Sequence, residues 1–199
     1  MGLPKIFHDL VAQLSRFPGV GKRSAERIAM YILKMNSVEA KNLATLIEQA
    51  HEHVKPCRMC NSFTNEDVCH TCGDLRRDKD ILCIVEEPKD ILAIEKTSQY
   101  KGMYFCLMGA LSPLDGVTAK DLNIGKLLHR LSLGEVKEVV IATDPDSDGE
   151  LTAQYLIEKI SPFKIKIYRI SIGVPLGTQI EYIDPATLSK ALMDRRAIL

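Results

Sequence analysis

The stretch from Val139 to Glu150 reads VVIATDPDSDGE. Its first five residues form a short apolar and β-branched run, which is typical of a buried strand. Four carboxylates then follow within seven residues, between Asp144 and Glu150, where a helical pattern begins. Because such crowding of negative charge is repulsive without a cation, the stretch predicts a strand, a cation-binding acidic turn and a helix in direct succession.

On both sides of this stretch, short apolar runs alternate with helical patterns. The predicted strands are 81–85, 103–107, 139–143 and 165–170, and the predicted helices are 90–96, 124–133 and 149–160, with another helix beginning at Pro185. This alternation favours an α/β fold with a parallel sheet. Residues 76–80, directly before the first strand, are all charged and are expected to form a linker.

A second acidic position, Glu86, follows the first predicted strand. Ligands of open α/β sheets bind outside the carboxyl ends of the strands, so Glu86, Asp144 and Asp146 are expected to face one cleft. Part of the acidic turn can cap the helix that follows, but Asp144 and Asp146 precede that helix and are candidate magnesium ligands. The turn is not an EF-hand calcium loop, because Tyr155 stands at its twelfth position, where a bidentate glutamate is required.

The first 55 residues have the periodicity of three helices, and the first helix, 5–16, is expected to end at a turn that reads FPGVG. Two glycines let this turn expose backbone N–H groups at a helix N-terminus, and three basic side chains follow. The phosphate backbone of DNA is the natural ligand of such a site. The alternative is a corner where two helices pack and the basic side chains are solvated. The residues assigned to the DNA contact are Gly19, Gly21, Lys22, Arg23 and Arg27.

Four cysteines form two Cys-x-x-Cys pairs separated by eight residues, Cys57 with Cys60 and Cys69 with Cys72. Two such pairs complete a tetrahedron around one ion, which favours structural zinc, with iron in a rubredoxin-like site as the main alternative. Two disulfides are not expected in a cytoplasmic chain. A thioredoxin-like redox role is not expected either, because the pairs lie outside the strand and helix units. The other two cysteines lie in apolar runs and are expected to be buried.

The overall composition is that of a globular protein. The chain has 199 residues, 26 Lys and Arg against 26 Asp and Glu, and 46% hydrophobic residues, which excludes disorder throughout. Residues 1–60 carry nine basic and five acidic side chains, a net charge of +4 that leaves −4 for the remainder. The apolar runs are too short to span a bilayer and the first residues lack a signal-peptide pattern, so we expect a cytoplasmic protein.

These parts resemble known families. A glutamate after one strand and Asp-x-Asp after a later strand are similar to a Toprim domain, the metal-binding fold of topoisomerases, primases and certain nucleases, over residues 80–172. The glycine turn resembles the helix-hairpin-helix element of DNA repair proteins. In this order, and with the four cysteines between them, the parts resemble the RecR family of bacterial recombination mediators over essentially the whole chain. Segments 104–116 and 173–177 also look like signatures of that family.

The resemblance implies an α/β fold in four parts with a Rossmann-like parallel sheet. These are a helix-hairpin-helix region at 1–55, a four-cysteine zinc finger at 56–73, a Toprim domain at 80–174 and a C-terminal segment with a helix at 175–199. It also implies a non-enzymatic, DNA-binding protein that forms a homotetrameric ring. Such a protein acts with RecO and RecF to help load the recombinase RecA onto gapped DNA coated by single-strand-binding protein.

Through the same resemblance, Glu86, Asp144 and Asp146 correspond to magnesium ligands, with Asp148 and Glu150 in auxiliary positions. The family often has Asn at the position of Asp144 and Glu at that of Asp148, so this chain is closer to the topoisomerase form. Two other functional classes stay open. One is a metal-dependent Toprim nuclease, and the other is a zinc-stapled scaffold whose acidic cleft docks a basic surface of RecO.

Overall fold

The computed structural model describes residues 2–171 and 173–195. Contacts within the chain divide it into two compact units, Met1–Val54 and Lys55–Leu199. No helix in the described ranges combines the length and the apolar character needed to cross a bilayer.

The first unit consists of three helices, α1 (Lys5–Leu14), α2 (Lys22–Lys34) and α3 (Ser37–His53). Its small core joins α1 to α2, and the buried residues are Phe7, Val11, Ala25 and Ala29. A capping box begins α3: Asn36 Oδ1 accepts hydrogen bonds from the N–H groups of Val38 and Glu39, and Glu39 Oε2 accepts the Asn36 N–H. The α3 helix itself contributes no buried residue.

The second unit begins with the cysteine segment. A two-residue antiparallel pair, β1 (Lys55–Pro56) and β2 (Phe63–Thr64), and the single turn α4 (His70–Gly73) hold the four cysteines. Strands of two residues are too short to show an alternating pattern, so neither β1 nor β2 was predicted.

A four-stranded parallel sheet follows, with the order β4-β3-β5-β6. The strands are β3 (Asp78–Val85), β4 (Gly102–Cys106), β5 (Glu138–Ala142) and β6 (Lys166–Arg169), and the helices are α5 (Pro88–Lys96), α6 (Ile124–Ser132), α7 (Ser147–Ile160) and, near the C-terminus, α8 (Pro185–Met193). The core lies between sheet and helices, and its members include Leu82, Ile84, Phe105, Leu127, Ile141 and Leu156. The predicted α/β fold with a parallel sheet is confirmed.

Several boundaries differ from the sequence-based expectation by one to three residues, and the hydrogen bonds explain two of these differences. Strand β3 begins at Asp78, inside the charged run that was expected to be a linker, because Asp78 N–H donates to the Lys101 carbonyl and pairs with the start of β4. Helix α7 begins at Ser147, two residues early, because Asp146 is its N-cap and its Oδ1 accepts the Gly149 N–H at 2.8 Å. Part of the acidic turn therefore caps a helix.

Candidate nucleic-acid interface, metal centre and acidic edge

The turn between α1 and α2 presents an open helix N-terminus. Gly19 has a φ of +74°, which a side chain would strain, whereas Gly21 has a φ of −74° and is the N-cap of α2. No side chain caps this helix. A Cβ at Gly21 would meet no atom within 4 Å, so the backbone here can be approached closely from outside. The first N–H groups of α2 can therefore bind an anion.

The basic side chains of α2 are arranged around this N-terminus. Ala25 and Ala29 are fully buried against α1, and Lys22, Arg23 and Arg27 lie off that buried face and are exposed. Within the described residues, none of the three forms a salt bridge. The hairpin therefore joins backbone donors and unpaired cations, a combination that suits phosphates and does not read bases.

The four cysteine side chains converge. The sulfur atoms of Cys57, Cys60, Cys69 and Cys72 all lie within 4.8 Å of one another, and Cys60 Sγ is 3.6 Å from Cys69 Sγ. Tetrahedral zinc with Zn–S bonds of about 2.3 Å separates its sulfurs by about 3.8 Å. The Cys69 N–H also donates to Cys57 Sγ at 3.3 Å. The donor set therefore fits a closed tetrahedral site, and its chemistry is consistent with zinc.

The thiols depend on one another electrostatically. Hydrogen bonding from Cys72, with weaker contributions from Cys69 and Cys57, lowers the pKa of Cys60 to about 5. The pKa of Cys72 is raised by that same hydrogen bond and by burial, and burial raises the pKa of Cys69 to about 11. Four thiolates together need a cation at their centre, which a divalent metal ion would supply.

The cysteine loop is docked on the free edge of the sheet. The Cys106 N–H of edge strand β4 donates to the Cys60 carbonyl at 2.7 Å, and Asn61 Nδ2 returns a bond of 3.0 Å to the Cys106 carbonyl. Arg130 on α6 donates from Nη1 to the carbonyls of Met59 and Tyr104, at 3.0 and 2.9 Å. Sequence reasoning missed Asn61 and Arg130, because no motif marks a side chain that binds backbone carbonyls.

Two carboxylates of the acidic edge accept hydrogen bonds from backbone N–H groups, Glu86 from Asp144 and Asp146 from Gly149. Glu86 is 9% exposed, and its Oε1 accepts the Asp144 N–H at 3.0 Å. Burial raises the pKa of Glu86, the negative charges of Asp144, Asp146 and Asp90 add to this, and the bond from Asp144 N–H opposes it. Glu86 therefore contacts the acidic turn through the backbone N–H of Asp144.

Arg169, at the end of β6, supplies a positive charge to this edge. Its Nη2 forms a salt bridge of 2.7 Å with Glu150, and its Nη1 donates to the carbonyl and hydroxyl oxygens of Thr143 at 2.9 and 2.7 Å. Sequence reasoning missed Arg169, because only the strand order places β6 beside β5.

The carboxylates of the acidic edge do not gather at one point. Across residues 2–171 and 173–195, the four cysteines are the only set of three or more His, Cys, Asp or Glu side chains whose ligand atoms all lie within 4.8 Å of one another. Glu86, Asp144, Asp146 and Asp148 thus share an edge of the sheet without forming such a set. The arrangement offers negative charge to a cation or a basic surface, and Arg169 already neutralises part of it.

Comparison with known proteins gives a consistent assignment for three parts of the chain. The family profile described as RecR, helix-hairpin-helix matches residues 7–51, the Toprim domain profile matches residues 80–171, and the profile described as RecR, C-terminal matches residues 173–196.

Relatives of known name align with nearly the full length. The recombination protein RecR of Tropheryma whipplei is 44% identical over 194 residues, which is 98% of each chain. That of Streptomyces coelicolor is 44% identical over 193 residues, 97% of each chain, and that of Pelotomaculum thermopropionicum is 45% identical over 187 residues, 94% of each.

Proposed function

The chain belongs to the RecR family of recombination proteins, and from this we propose that it is a DNA-binding recombination mediator in recombinational DNA repair. The observation that carries the proposal is the hairpin, where three exposed cations surround the uncapped N-terminus of α2. We assign the DNA contact to the residues predicted from the sequence, Gly19, Gly21, Lys22, Arg23 and Arg27. Contacts to phosphates alone give binding without sequence preference and with steep salt dependence.

We propose a division of labour along the chain. Residues 1–55 hold DNA, and residues 56–73 form a zinc finger whose ligands are Cys57, Cys60, Cys69 and Cys72. Residues 80–174 form the Toprim domain, and 175–199 form the C-terminal segment. Zinc stabilises the folded conformation of this loop, which is too short to bury a hydrophobic core of its own. As a complete four-thiolate set leaves no open coordination position, the role of the metal is structural.

We propose self-assembly into a homotetrameric ring, and apolar side chains that the single chain leaves exposed support contact between copies. Helix α3 exposes Val38, Leu46 and Ile47 by 61 to 67%, and the C-terminal segment exposes Leu176 and Tyr182 by 75% or more. Apolar surface of this kind marks protein contact sites. A ring carries several hairpins, so its DNA affinity exceeds that of one hairpin through multivalency.

The proposed partners are RecO and RecF, with which the protein would help load RecA onto gapped DNA coated by single-strand-binding protein. We propose that the acidic edge, with Glu86, Asp144, Asp146 and Asp148, binds either magnesium or a basic surface of RecO. The neutralising bond between Arg169 and Glu150 and the spread of the carboxylates support a binding role over catalysis. Magnesium-dependent Toprim nuclease activity is the competing function.

The hairpin assignment is tested with the double variant Lys22→Ala/Arg23→Ala. Its affinity for gapped DNA should fall, and the slope of log affinity against log salt should become shallower by roughly 0.7 to 0.9 for each lost phosphate contact. The matched control, Lys34→Ala/Lys41→Ala, removes the same charge from exposed positions elsewhere in the first unit. Equal binding by both variants and by the unaltered protein at moderate salt would contradict the assignment.

A further inference from the structure

A cavity of about 390 Å³ lies in the second unit, where the cysteine loop, β4 and α6 meet. Its volume is within the range of pockets that bind small ligands or parts of larger ones. Part of its wall is apolar, from Met59, Phe105 and Leu133. Leu133, the C-cap of α6, is 61% exposed at this wall.

The polar wall of this cavity is positively charged. Lys126, His129 and Arg130 occupy positions i, i+3 and i+4 of α6, so they share one face of the helix. Arg58 enters from the cysteine loop, and Glu135 is the acidic lining residue. This basic cavity is a local exception, because residues 61–199 together carry a net charge of −4.

Arg130 is the fixed member of this group. Its Nη1 is held by two backbone carbonyls, and in the described ranges no hydrogen bond joins its Nε or Nη2 to another residue. Neither nitrogen is among the buried polar atoms without a partner, so both keep access to solvent. No described carboxylate lies in salt-bridge distance of Arg130, Arg58 or Lys126. The cavity thus keeps one positioned guanidinium, that of Arg130, and two exposed cations, Arg58 and Lys126, available to an anion.

We propose that this basic cavity is a second DNA contact, which holds a backbone phosphate of one strand through Arg58, Lys126 and Arg130 and lays the adjoining sugar or base against Leu133. The proposal rests on the proposed function, since DNA is the polyanion that the hairpin also binds. Cations beside apolar surface suit a nucleotide unit, whose charged phosphate adjoins an apolar ring face. The cysteine loop contributes to this contact twice, because the Met59 carbonyl anchors Arg130 and Arg58 itself faces the phosphate.

The first test is photo-crosslinking with the full-length protein and a labelled gapped duplex. A benzoylphenylalanine replaces Leu133 in one variant and Leu92 of α5, which is 64% exposed and lines a different cavity, in the matched control. The proposal predicts crosslinking at 133 that exceeds that at 92 several-fold and that unlabelled gapped DNA abolishes. Equal crosslinking at both positions would overturn it.

The second test compares Arg58→Ala/Lys126→Ala with Lys96→Ala/Lys164→Ala, which removes two exposed cations elsewhere in the second unit. At 0.1 M salt the first variant should bind gapped DNA at least about tenfold more weakly, with a shallower salt slope. Its zinc content should be unchanged. If it binds as well as the control while Lys22→Ala/Arg23→Ala loses binding, the second contact is refuted and the proposed function stands. If the unaltered protein binds no DNA, the proposed function itself fails.

Discussion

At the residue scale, Gly149 shows how closely the acidic turn is packed. A Cβ at this position would lie 2.0 Å from the Asp144 carbonyl oxygen and 2.9 Å from Glu86 Oε1. The Thr143 hydroxyl also donates to the Gly149 carbonyl at 2.7 Å. The glycine therefore lets the backbone of α7 approach the end of β5, and Glu86 and Asp144 can meet only because no side chain intervenes.

The substitution Gly149→Ala should lower the free energy of unfolding by about 1 to 3 kcal/mol, because the turn must move to admit a methyl group. The matched control is Gly125→Ala in α6, where a Cβ meets no atom within 4 Å. There alanine should be neutral or stabilising, since it favours helix more than glycine does. Urea denaturation followed by circular dichroism measures both, and equal stability of the two variants would contradict this packing.

The buried carboxyl group of Glu86 should make the stability of the protein depend on pH. Burial raises its pKa in the folded protein above the unfolded value, so the folded state binds the proton more tightly. The stabilisation that comes from the tighter proton binding is present below the pKa of Glu86 in the unfolded state. It is lost as the pH rises to the higher pKa of Glu86 in the folded state. Glu86→Gln keeps an acceptor for the Asp144 N–H, and because the amide does not ionise, this variant does not lose stability in that way as the pH rises.

The difference in urea midpoint between Glu86→Gln and the unaltered protein should therefore grow in favour of the variant from about pH 4 upward and then level off. Both proteins are measured with a chelator of magnesium present. Glu66→Gln, at an exposed position of the same unit, is the control and should show no such trend. A pH-independent difference for Glu86→Gln would mean that the carboxyl is not desolvated.

At the element scale, the cysteine loop covers an edge strand. β4 lies at one end of the sheet order, and exposed strand edges are prone to pair with other chains. Two hydrogen bonds join the loop to this strand, from the Cys106 N–H to the Cys60 carbonyl and from Asn61 Nδ2 to the Cys106 carbonyl. A third, from Arg130 Nη1 to the Met59 carbonyl, joins the loop to α6. The metal centre is therefore expected to protect the sheet as well as to fold its own loop.

Replacement of one ligand, Cys57→Ser, should remove the bound metal and open this edge, with poor solubility or aggregation as the visible result. Cys83→Ala is the matched control, because Cys83 is buried in β3 and is not a member of the four-cysteine cluster. Zinc per chain by atomic emission and the aggregation temperature measure the two effects. A metal-free, monodisperse Cys57→Ser protein of normal stability would contradict the structural role.

The elements also show what the sequence could and could not predict. The alternation of apolar runs predicted the strands of a parallel sheet, and the Cys-x-x-Cys spacing predicted the four-cysteine cluster. Both patterns involve residues that are close together in the chain. Strand order depends on long-range pairing and was not predicted. For that reason Arg169 of β6, which neutralises Glu150 19 residues earlier in the chain, was missed. Arg130, 71 residues from the Met59 carbonyl it binds, was missed for the same reason.

At the scale of the whole molecule, the exposed apolar side chains are explained by the proposed self-assembly. Helix α3 contributes nothing to the core of its own unit, yet it has apolar residues at helical spacing. A chain that presents such a face is expected to bury it against other copies. The exposed C-terminal helix α8, which also has no buried residue, is explained in the same way.

The double variant Leu46→Asp/Ile47→Asp should therefore form smaller assemblies than the unaltered protein in sedimentation equilibrium, and it should bind DNA more weakly through lost multivalency. Both residues are more than 60% exposed, so the fold of the single chain should tolerate the change. Leu75→Asp/Leu114→Asp, at positions 88 and 98% exposed, is the control for added charge. An unchanged mass for the α3 variant would exclude this face from the assembly.

The proposed mediator function requires that this RecR-family protein bind DNA without cutting it. Purified protein is incubated with labelled gapped DNA, with and without magnesium, and retardation and strand cleavage are scored in the same samples. Retardation is expected in both conditions, with every strand intact. Magnesium-dependent cleavage that Asp144→Ala abolishes would instead assign a nuclease to the acidic edge.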